Sequence, residues 1–224
     1  MKLINPSVEL ITQTPGLEGI YKQVERVGRV CYKSEDKITE DSAKPFVERM
    51  IKSQHLAMLE HGTVCLAASY NNEDLIFWKV ANSPYSKGVC DDKSNLLCLT
   101  TNLRVIAELN AWEVIDKYLC EPTESHAKRI CLKFITSIGV SREFNRHRTA
   151  SIAEQSTRYC NYTKDKFNNE LTFIKPAWLN IPTGHYAYWD GDWCDVNEMK
   201  IQLPGEEHKD IDAFLWTLED AERE

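Results

Sequence analysis

Apolar residues recur every three to four positions along several stretches of the chain, a spacing typical of amphipathic helices. The pattern predicts helices over 16–34, about 42–53 and 102–119, and a last helix from about residue 210. The chain is therefore expected to carry much of its core on the inward faces of helices.

Short runs rich in β-branched and aromatic residues are typical of strands. The predicted strands are 60–68, 129–135 and 171–174. Gly139 ends the second of these stretches, and a further helix is expected from about residue 140. Residues 74–81 fit either a strand or a helix. Turn-forming residues predict loops over 82–95 and 180–205.

The composition fits a globular protein of one domain or a small two-part chain. The 224 residues are 42% hydrophobic and 27% charged, which excludes wholesale disorder. No apolar run is long enough for a transmembrane helix, and Pro6 interrupts the start before a signal-peptide stretch forms. A cytoplasmic location is expected. The net charge of -7 argues against a general nucleic-acid binder.

The eight cysteines show no CxxC pair. A chain of this length does not need disulfide staples, so most cysteines are expected to be reduced and buried. No cysteine or histidine pair has zinc-ligand spacing, and no metal site is predicted.

The segment 141–160 stands out against this acidic background. Its arginines outnumber its acidic residues: it contains Arg142, Arg146, Arg148 and Arg158 against Glu143 and Glu154. A small positive region in an acidic chain suits a small anionic ligand better than a polymer. Guanidinium groups match phosphate oxygens in geometry.

The residues Ser151-Ile152-Ala153-Glu154 match a helix capping box. This pattern predicts a new helix that begins at Ser151, and helix N-termini attract anions. Glu154 therefore has a structural interpretation as well as a functional one.

The order of residues within this segment resembles a known family. Arg146-His147-Arg148, seven residues and then Ser156 are similar to the Arg-His-Arg-x7-Ser signature of the flavin-dependent thymidylate synthases. Glu154-Gln155-Ser156-Thr157-Arg158-Tyr159 fits the Glu-x-Ser-x-Arg-Tyr of that family. Upstream, Arg29-Val30-Cys31-Tyr32 and His55-Leu56-Ala57-Met58-Leu59-Glu60-His61 resemble two further family segments.

The resemblance implies an α+β fold, with helices packed on a mainly antiparallel sheet. It implies methylation of dUMP to dTMP with methylenetetrahydrofolate as carbon donor, FAD as hydride carrier and NADPH as reductant. It also implies a homotetramer with active sites shared between chains, and no cysteine nucleophile.

Site residues follow from the resemblance by position. FAD would contact His55, Arg146, His147, Arg148 and Glu154. The residues that would hold or border dUMP are Arg142, Glu143, Gln155, Ser156, Thr157 and Arg158. Ser156 and Arg158 are assigned to the catalytic step. Ser156 has no general base beside it in sequence, so it is interpreted as a binding hydroxyl.

Several alternatives stay open. His61 is as readily a structural histidine as a ligand contact, and core packing is the expected role of Cys31. The aromatic stretch 185–193 is either a lid or an irregular surface loop.

The domain organisation is also an expectation. The chain is expected to form one family domain over 1–224, with an insertion at 69–127. The resemblance implies a further C-terminal part that 180–224 does not supply, and the helical pattern runs on to the last residue. A truncated, non-catalytic nucleotide- and flavin-binding remnant is therefore a second hypothesis. An RNA-binding module is a third, which the net charge disfavours.

Overall fold

The structure is a computed structural model, and it describes residues 2–91, 94–156, 160, 171–178, 180–189 and 192–195. The chain divides into two compact units. The larger unit comprises Leu10–Lys133 and His147–Ser156, and the smaller unit comprises Met1–Glu9, Phe134–Arg146 and Thr157–Glu224.

The elements are, in chain order, β1 (Lys2–Ile4), β2 (Ser7–Ile11), α1 (Gly16–Val30), a 3₁₀ turn (Glu35–Lys37), α2 (Ala43–Lys52), a 3₁₀ helix (Leu56–His61), β3 (Thr63–Ser69), α3 (Leu75–Ala81), β4 (Lys87–Asp91), β5 (Leu96–Asn102), α4 (Leu103–Glu108), α5 (Trp112–Tyr118), β6 (Cys131–Ile135), α6 (Ile138–Phe144), β7 (Thr172–Ile174), β8 (Gly184–Trp189) and β9 (Asp192–Asp195).

The larger unit is built on a three-stranded antiparallel sheet with β5 in the centre, in the order β3-β5-β4. The register runs from Thr63 opposite Asn102 to Ser69 opposite Leu96. Its core lies between this sheet and the helices. The most deeply buried large side chains there include Phe77, Leu66, Leu99, Leu103 and Ile106.

The smaller unit contains a four-stranded sheet in the order β7-β1-β8-β9. β1 runs parallel to β7 and antiparallel to β8, and β8 runs antiparallel to β9. Leu3 is 1% exposed at the centre of β1. The hydroxyl of Tyr186 donates to the carbonyl oxygen of Pro182 at 2.7 Å.

β2 and β6 form a separate two-stranded sheet. The strand pairings of the three sheets, together with the helices, confirm an α+β fold whose sheets are mainly antiparallel. The predicted helices at 42–53 and near 140 are present as α2 and α6, and the strands predicted at 129–135 and 171–174 are present as β6 and β7. The strand predicted at 60–68 is β3, preceded by the 3₁₀ helix.

The ambiguous segment 74–81 is helical, because Asp74 caps it. The Asp74 carboxylate accepts hydrogen bonds from the backbone N–H groups of Ile76, at 2.9 Å, and Phe77, at 3.3 Å. An aspartate in this position pairs backbone donors that a helix N-terminus otherwise leaves unpaired. The cap therefore decides between two patterns that periodicity alone left open.

The predicted helix 102–119 is wrong as a single element, because α4 and α5 are separated at 109–111. Asn110 has a φ of 49°, in the left-handed region that asparagine tolerates. The N–H of Ala111 donates to Ile106 at 2.9 Å, and the N–H of Asn110 donates to Ala107 at 3.2 Å. This pair of bonds closes the end of α4 as a left-handed C-cap.

The same left-handed C-cap ends α1 and α2, at residue types from which the sequence does not predict it. Lys33 has a φ of 45° and Gln54 a φ of 58°. The helix predicted over 16–34 therefore ends at Val30, four residues early. Neither lysine nor glutamine is a residue that normally signals this conformation.

Both long predicted loops contain strands. In 82–95, β4 pairs with β5 from Lys87 opposite Thr100 to Asp91 opposite Leu96. In 180–205, β8 and β9 form an antiparallel pair, so most of 185–193 is strand rather than loop. The dipeptide Asp190-Gly191 between two aromatic runs is a hairpin signal in the sequence.

The helix predicted from about residue 210 lies outside the described residues. Within the described part of the chain, no helix has both the length and the apolar character needed to cross a membrane.

Candidate functional site

Two of the sequence segments that resemble the family, 29–32 and 55–61, meet part of the third, 147–156, in the larger unit. The backbone N–H of Ser156 donates to the carbonyl oxygen of Cys31 at 3.0 Å. The hydroxyl of Ser151 donates to the Glu60 carboxylate at 2.5 Å. The segment 147–156 is thus held at one point by the end of α1 and at another by the 3₁₀ helix.

The end of α1 is itself firmly placed. Arg29 donates to the Glu25 carboxylate through two nitrogens, at 2.7 and 3.1 Å. Its guanidinium also lies 4.9 Å from the centroid of the Phe46 ring on α2. Arg29 is therefore occupied by structural contacts, and its role is to fix the helix end that receives Ser156.

His55 lies between two elements. Its backbone N–H donates to Met50 at 2.9 Å and completes the left-handed cap of α2, and the residue is also the N-cap of the 3₁₀ helix. Its side chain is exposed. The backbone is thus set by α2, and the imidazole is left open to solvent.

His147 and Arg148 are exposed and lie outside any helix or strand. The N–H of Ala150 donates to the carbonyl oxygen of His147 at 3.1 Å, which closes a turn. Among the described residues, the guanidinium of Arg148 has no hydrogen-bond or ion-pair partner. An exposed, unpaired arginine in a turn is available to an anionic ligand.

Arg142, Glu143 and Arg146 belong to the smaller unit. The first two lie on α6, and Arg146 follows the end of that helix. All three are exposed, and Arg146 pairs with the Glu143 carboxylate at 2.9 Å. A pair this exposed contributes little to stability and readily exchanges for another partner.

The capping-box prediction is wrong, because residues 151–156 form no helix. The Ser151 hydroxyl bonds to Glu60 rather than starting a helix. Glu154, Gln155 and Ser156 are half-buried. Thr157 and Arg158, assigned to the nucleotide, lie outside the described residues.

His61 ends the 3₁₀ helix and is half-buried. Within the described part of the chain, its Nε2 is buried and has no hydrogen-bond partner. Burial lowers the pKa of His61 below the usual 6.5, with Arg129 acting in the same direction and the nearby Glu60 carboxylate opposing it. His61 is therefore neutral at pH 7, and its Nε2 is not satisfied as in a structural histidine.

The lowered pKa of His61 predicts a loss of stability in mild acid. The folded state disfavours the charged ring. The contribution of His61 to stability is therefore complete above the unfolded pKa of 6.5, and it declines as pH falls toward the lower pKa of the folded chain. The urea midpoint should fall between about pH 7.5 and about pH 5.5, and it should fall less in His61→Gln. His55→Gln, which changes an exposed histidine, is the control variant. An equal decline in His61→Gln would contradict this assignment.

A cysteine–histidine pair in the larger unit has the spacing of a nucleophile and its base. Cys120 Sγ lies 3.6 Å from His126 Nε2. The N–H of Thr123 donates to His126 Nδ1 at 3.1 Å, so the ring proton is on Nε2, which donates to the carbonyl oxygen of Leu66 at 3.1 Å. His126 therefore has no free lone pair for the thiol. Burial also raises the pKa of Cys120 to about 11, so the thiol is a poor nucleophile.

Seven cysteines in the described part of the chain form no disulfide. Cys65, Cys98 and Cys160 are buried, and Cys90 is exposed. The described residues contain no cluster of three or more histidine, cysteine, aspartate or glutamate side chains that could hold a metal ion.

Comparison with known proteins adds one finding. A family model described as thymidylate synthase complementing protein matches residues 92–213, which is more than half of the chain. Searches of curated proteins and of solved structures gave no match. The matched region contains the whole basic segment and begins inside 69–127. The insertion there stays a prediction, and 29–32 and 55–61 precede the match.

The region matched by the family model includes the segment that the hydrogen bonds hold in the larger unit. The match spans the arginine-bearing segment 147–156 that α1 and the 3₁₀ helix hold in the larger unit. The chain belongs to the thymidylate synthase complementing protein family, whose general function is thymidylate synthesis.

Proposed function

We propose that this chain methylates dUMP to dTMP, taking the carbon from methylenetetrahydrofolate and the reducing equivalents from NADPH through bound FAD. One observation carries the proposal: the Ser156–Cys31 and Ser151–Glu60 hydrogen bonds hold segment 147–156, which carries His147 and Arg148, against two upstream segments of the larger unit. The family match supports thymidylate synthesis as the chemistry of this arrangement.

The side chains present fit a dinucleotide and a nucleotide. Both ligands carry phosphate, and Arg148 is exposed with no partner among the described residues. The orphaned Nε2 of His61 leaves a polar atom to be satisfied close to Glu60, whose carboxylate influences its pKa. FAD, when bound, would supply the hydride that NADPH delivers, and the protein would supply binding and orientation.

The proposed roles follow the family motif position by position. The FAD contacts are His55, Arg146, His147, Arg148 and Glu154. The dUMP contacts are Arg142, Glu143, Gln155, Ser156, Thr157 and Arg158, of which Ser156 and Arg158 serve the catalytic step. The arginines would neutralise phosphate and polarise the uracil, which makes the ring more receptive to hydride or carbon transfer. Ser156 would act as a hydrogen-bonding hydroxyl.

The proposal extends to the assembly. The chain would act as one functional domain and associate as a homotetramer with shared active sites. Its location would be cytoplasmic, where dUMP and reduced folate are available. Sedimentation analysis of the purified chain tests the oligomer directly.

The activity is tested with the purified 224-residue chain. FAD is added, and dTMP formation is followed with dUMP, methylenetetrahydrofolate and NADPH, each omitted in turn as a control. The expected result is a yellow protein whose dTMP formation requires all three. Binding of FAD and dUMP is measured in parallel by calorimetric titration.

The second hypothesis is a chain that binds nucleotide and flavin without turnover. Binding of both ligands with no dTMP formation would support this alternative over the enzyme. Failure to bind either ligand would overturn both.

A further inference from the structure

Glu60 makes three contacts with three different parts of the larger unit. Its Oε1 accepts from Arg104 on α4 at 2.5 Å, and its Oε2 accepts from the Ser151 hydroxyl. Its backbone carbonyl accepts from the Arg129 guanidinium at 2.6 Å. The residue therefore connects the 3₁₀ helix to α4, to the approach to β6 and to the segment 147–156.

The link to Ser151 matters because 147–151 is exposed and irregular. Such segments sample many conformations, and a ligand that selects one of them must offset the entropy of the others. Ser151 stands three residues after Arg148 and five before Ser156. The Ser151–Glu60 bond restrains the stretch that carries Arg148, while the Ser156–Cys31 bond restrains its other end.

A carboxylate beside an anion-binding segment is unfavourable unless its charge is balanced. Arg104 provides that balance. It bonds to Glu60 through NH1 and to Glu108 through Nε, at 2.7 Å. The Glu60 side chain is 26% exposed, so the pair is partly shielded from solvent. Glu60 can thus anchor Ser151 without presenting an unpaired negative charge to a phosphate.

We propose that Glu60 is a positioning residue, which acts through Ser151 to hold segment 147–156 in its ligand-binding conformation. The effect on ligands rests on the proposed function. The effect on the segment does not, because it is a property of the unliganded chain. The two can therefore fail separately.

The test compares Glu60→Gln, Ser151→Ala and the double variant with Glu108→Gln as the matched control. Glu108→Gln removes one carboxylate charge that pairs with Arg104, as Glu60→Gln does, but Glu108 forms no hydrogen bond with Ser151 in the described part of the chain. The first readout is amide hydrogen exchange of 147–156 without ligand. The second is the affinity for FAD and for dUMP by titration.

Exchange across 147–156 should speed up in Glu60→Gln and Ser151→Ala and remain unchanged in Glu108→Gln. FAD and dUMP affinity should fall about three- to tenfold in either single variant. The double variant should bind no more weakly than the more impaired single variant, because Ser151→Ala removes the same bond that Glu60→Gln weakens by taking away the carboxylate charge.

Unchanged exchange in Glu60→Gln, equal effects in Glu108→Gln, or additive losses in the double variant would each overturn the proposal. Ser151 is exposed, so Ser151→Ala remains informative if Glu60→Gln fails to fold. If the unmodified chain binds neither FAD nor dUMP, the proposed function fails, while the exchange comparison still decides the role of Glu60.

Discussion

An Arg148→Ala variant is expected to bind FAD about ten- to a hundredfold more weakly than the unmodified chain. Arg148 is exposed and has no hydrogen-bond or ion-pair partner among the described residues, so its removal breaks no polar contact with that part of the chain. A hydrogen bond from a guanidinium to a charged oxygen contributes about 1.5–3 kcal/mol, which corresponds to that range. Calorimetric titration with FAD measures the change.

Lys79→Ala is the matched control for Arg148→Ala. Lys79 is another exposed cation of the larger unit, on α3, and its loss changes net charge equally. FAD affinity should stay within about twofold in this variant, since an exposed charge outside the proposed FAD contacts is screened by salt. An equal loss in both variants would show that only the overall charge matters.

A Phe77→Ala variant is expected to lower the free energy of unfolding by about 3–5 kcal/mol, the range for a buried phenylalanine. Phe77 is 0% exposed, and its ring packs edge-on against Trp78 and Tyr118, at centroid distances of 5.7 and 5.0 Å. The substitution removes these contacts and leaves a cavity in the core of the larger unit. Urea unfolding followed by circular dichroism measures the loss.

Leu75→Ala, on the same helix, is the control for Phe77→Ala. Leu75 is 76% exposed, and alanine is a good helix former. Its unfolding free energy should change by no more than about 0.5 kcal/mol. A loss in Leu75→Ala as large as in Phe77→Ala would contradict the placement of the core.

Local sequence patterns predicted the elements that carry a clear apolar or β-branched pattern of their own. The apolar face of α1 and the strand character of β6 are visible in windows of a few residues, and both elements are present. The ends of the helices were less predictable. Lys33 and Gln54 adopt left-handed conformations that their side chains do not favour, and such conformations persist where the surrounding structure determines them.

Pairing over long distances was the main source of error. β4 carries residues typical of a loop, yet it is a strand because β5 supplies its hydrogen-bonding partner. β-propensity depends on such neighbours more than on the residues themselves. The Ser151 hydroxyl behaves likewise: it bonds to Glu60, 91 positions away, rather than forming the local cap that its sequence suggests.

The sequence by itself determined the chemistry available to this protein. An Arg-His-Arg run, Ser156 and the flanking residues identify the family, because the order of side chains is a property of the chain alone. The tertiary structure decided which of these groups remain available. It joins both Arg104 and Ser151 to Glu60, and it leaves Arg148 exposed. Those partners lie far apart in the chain, and only folding brings a donor within hydrogen-bond distance of its acceptor.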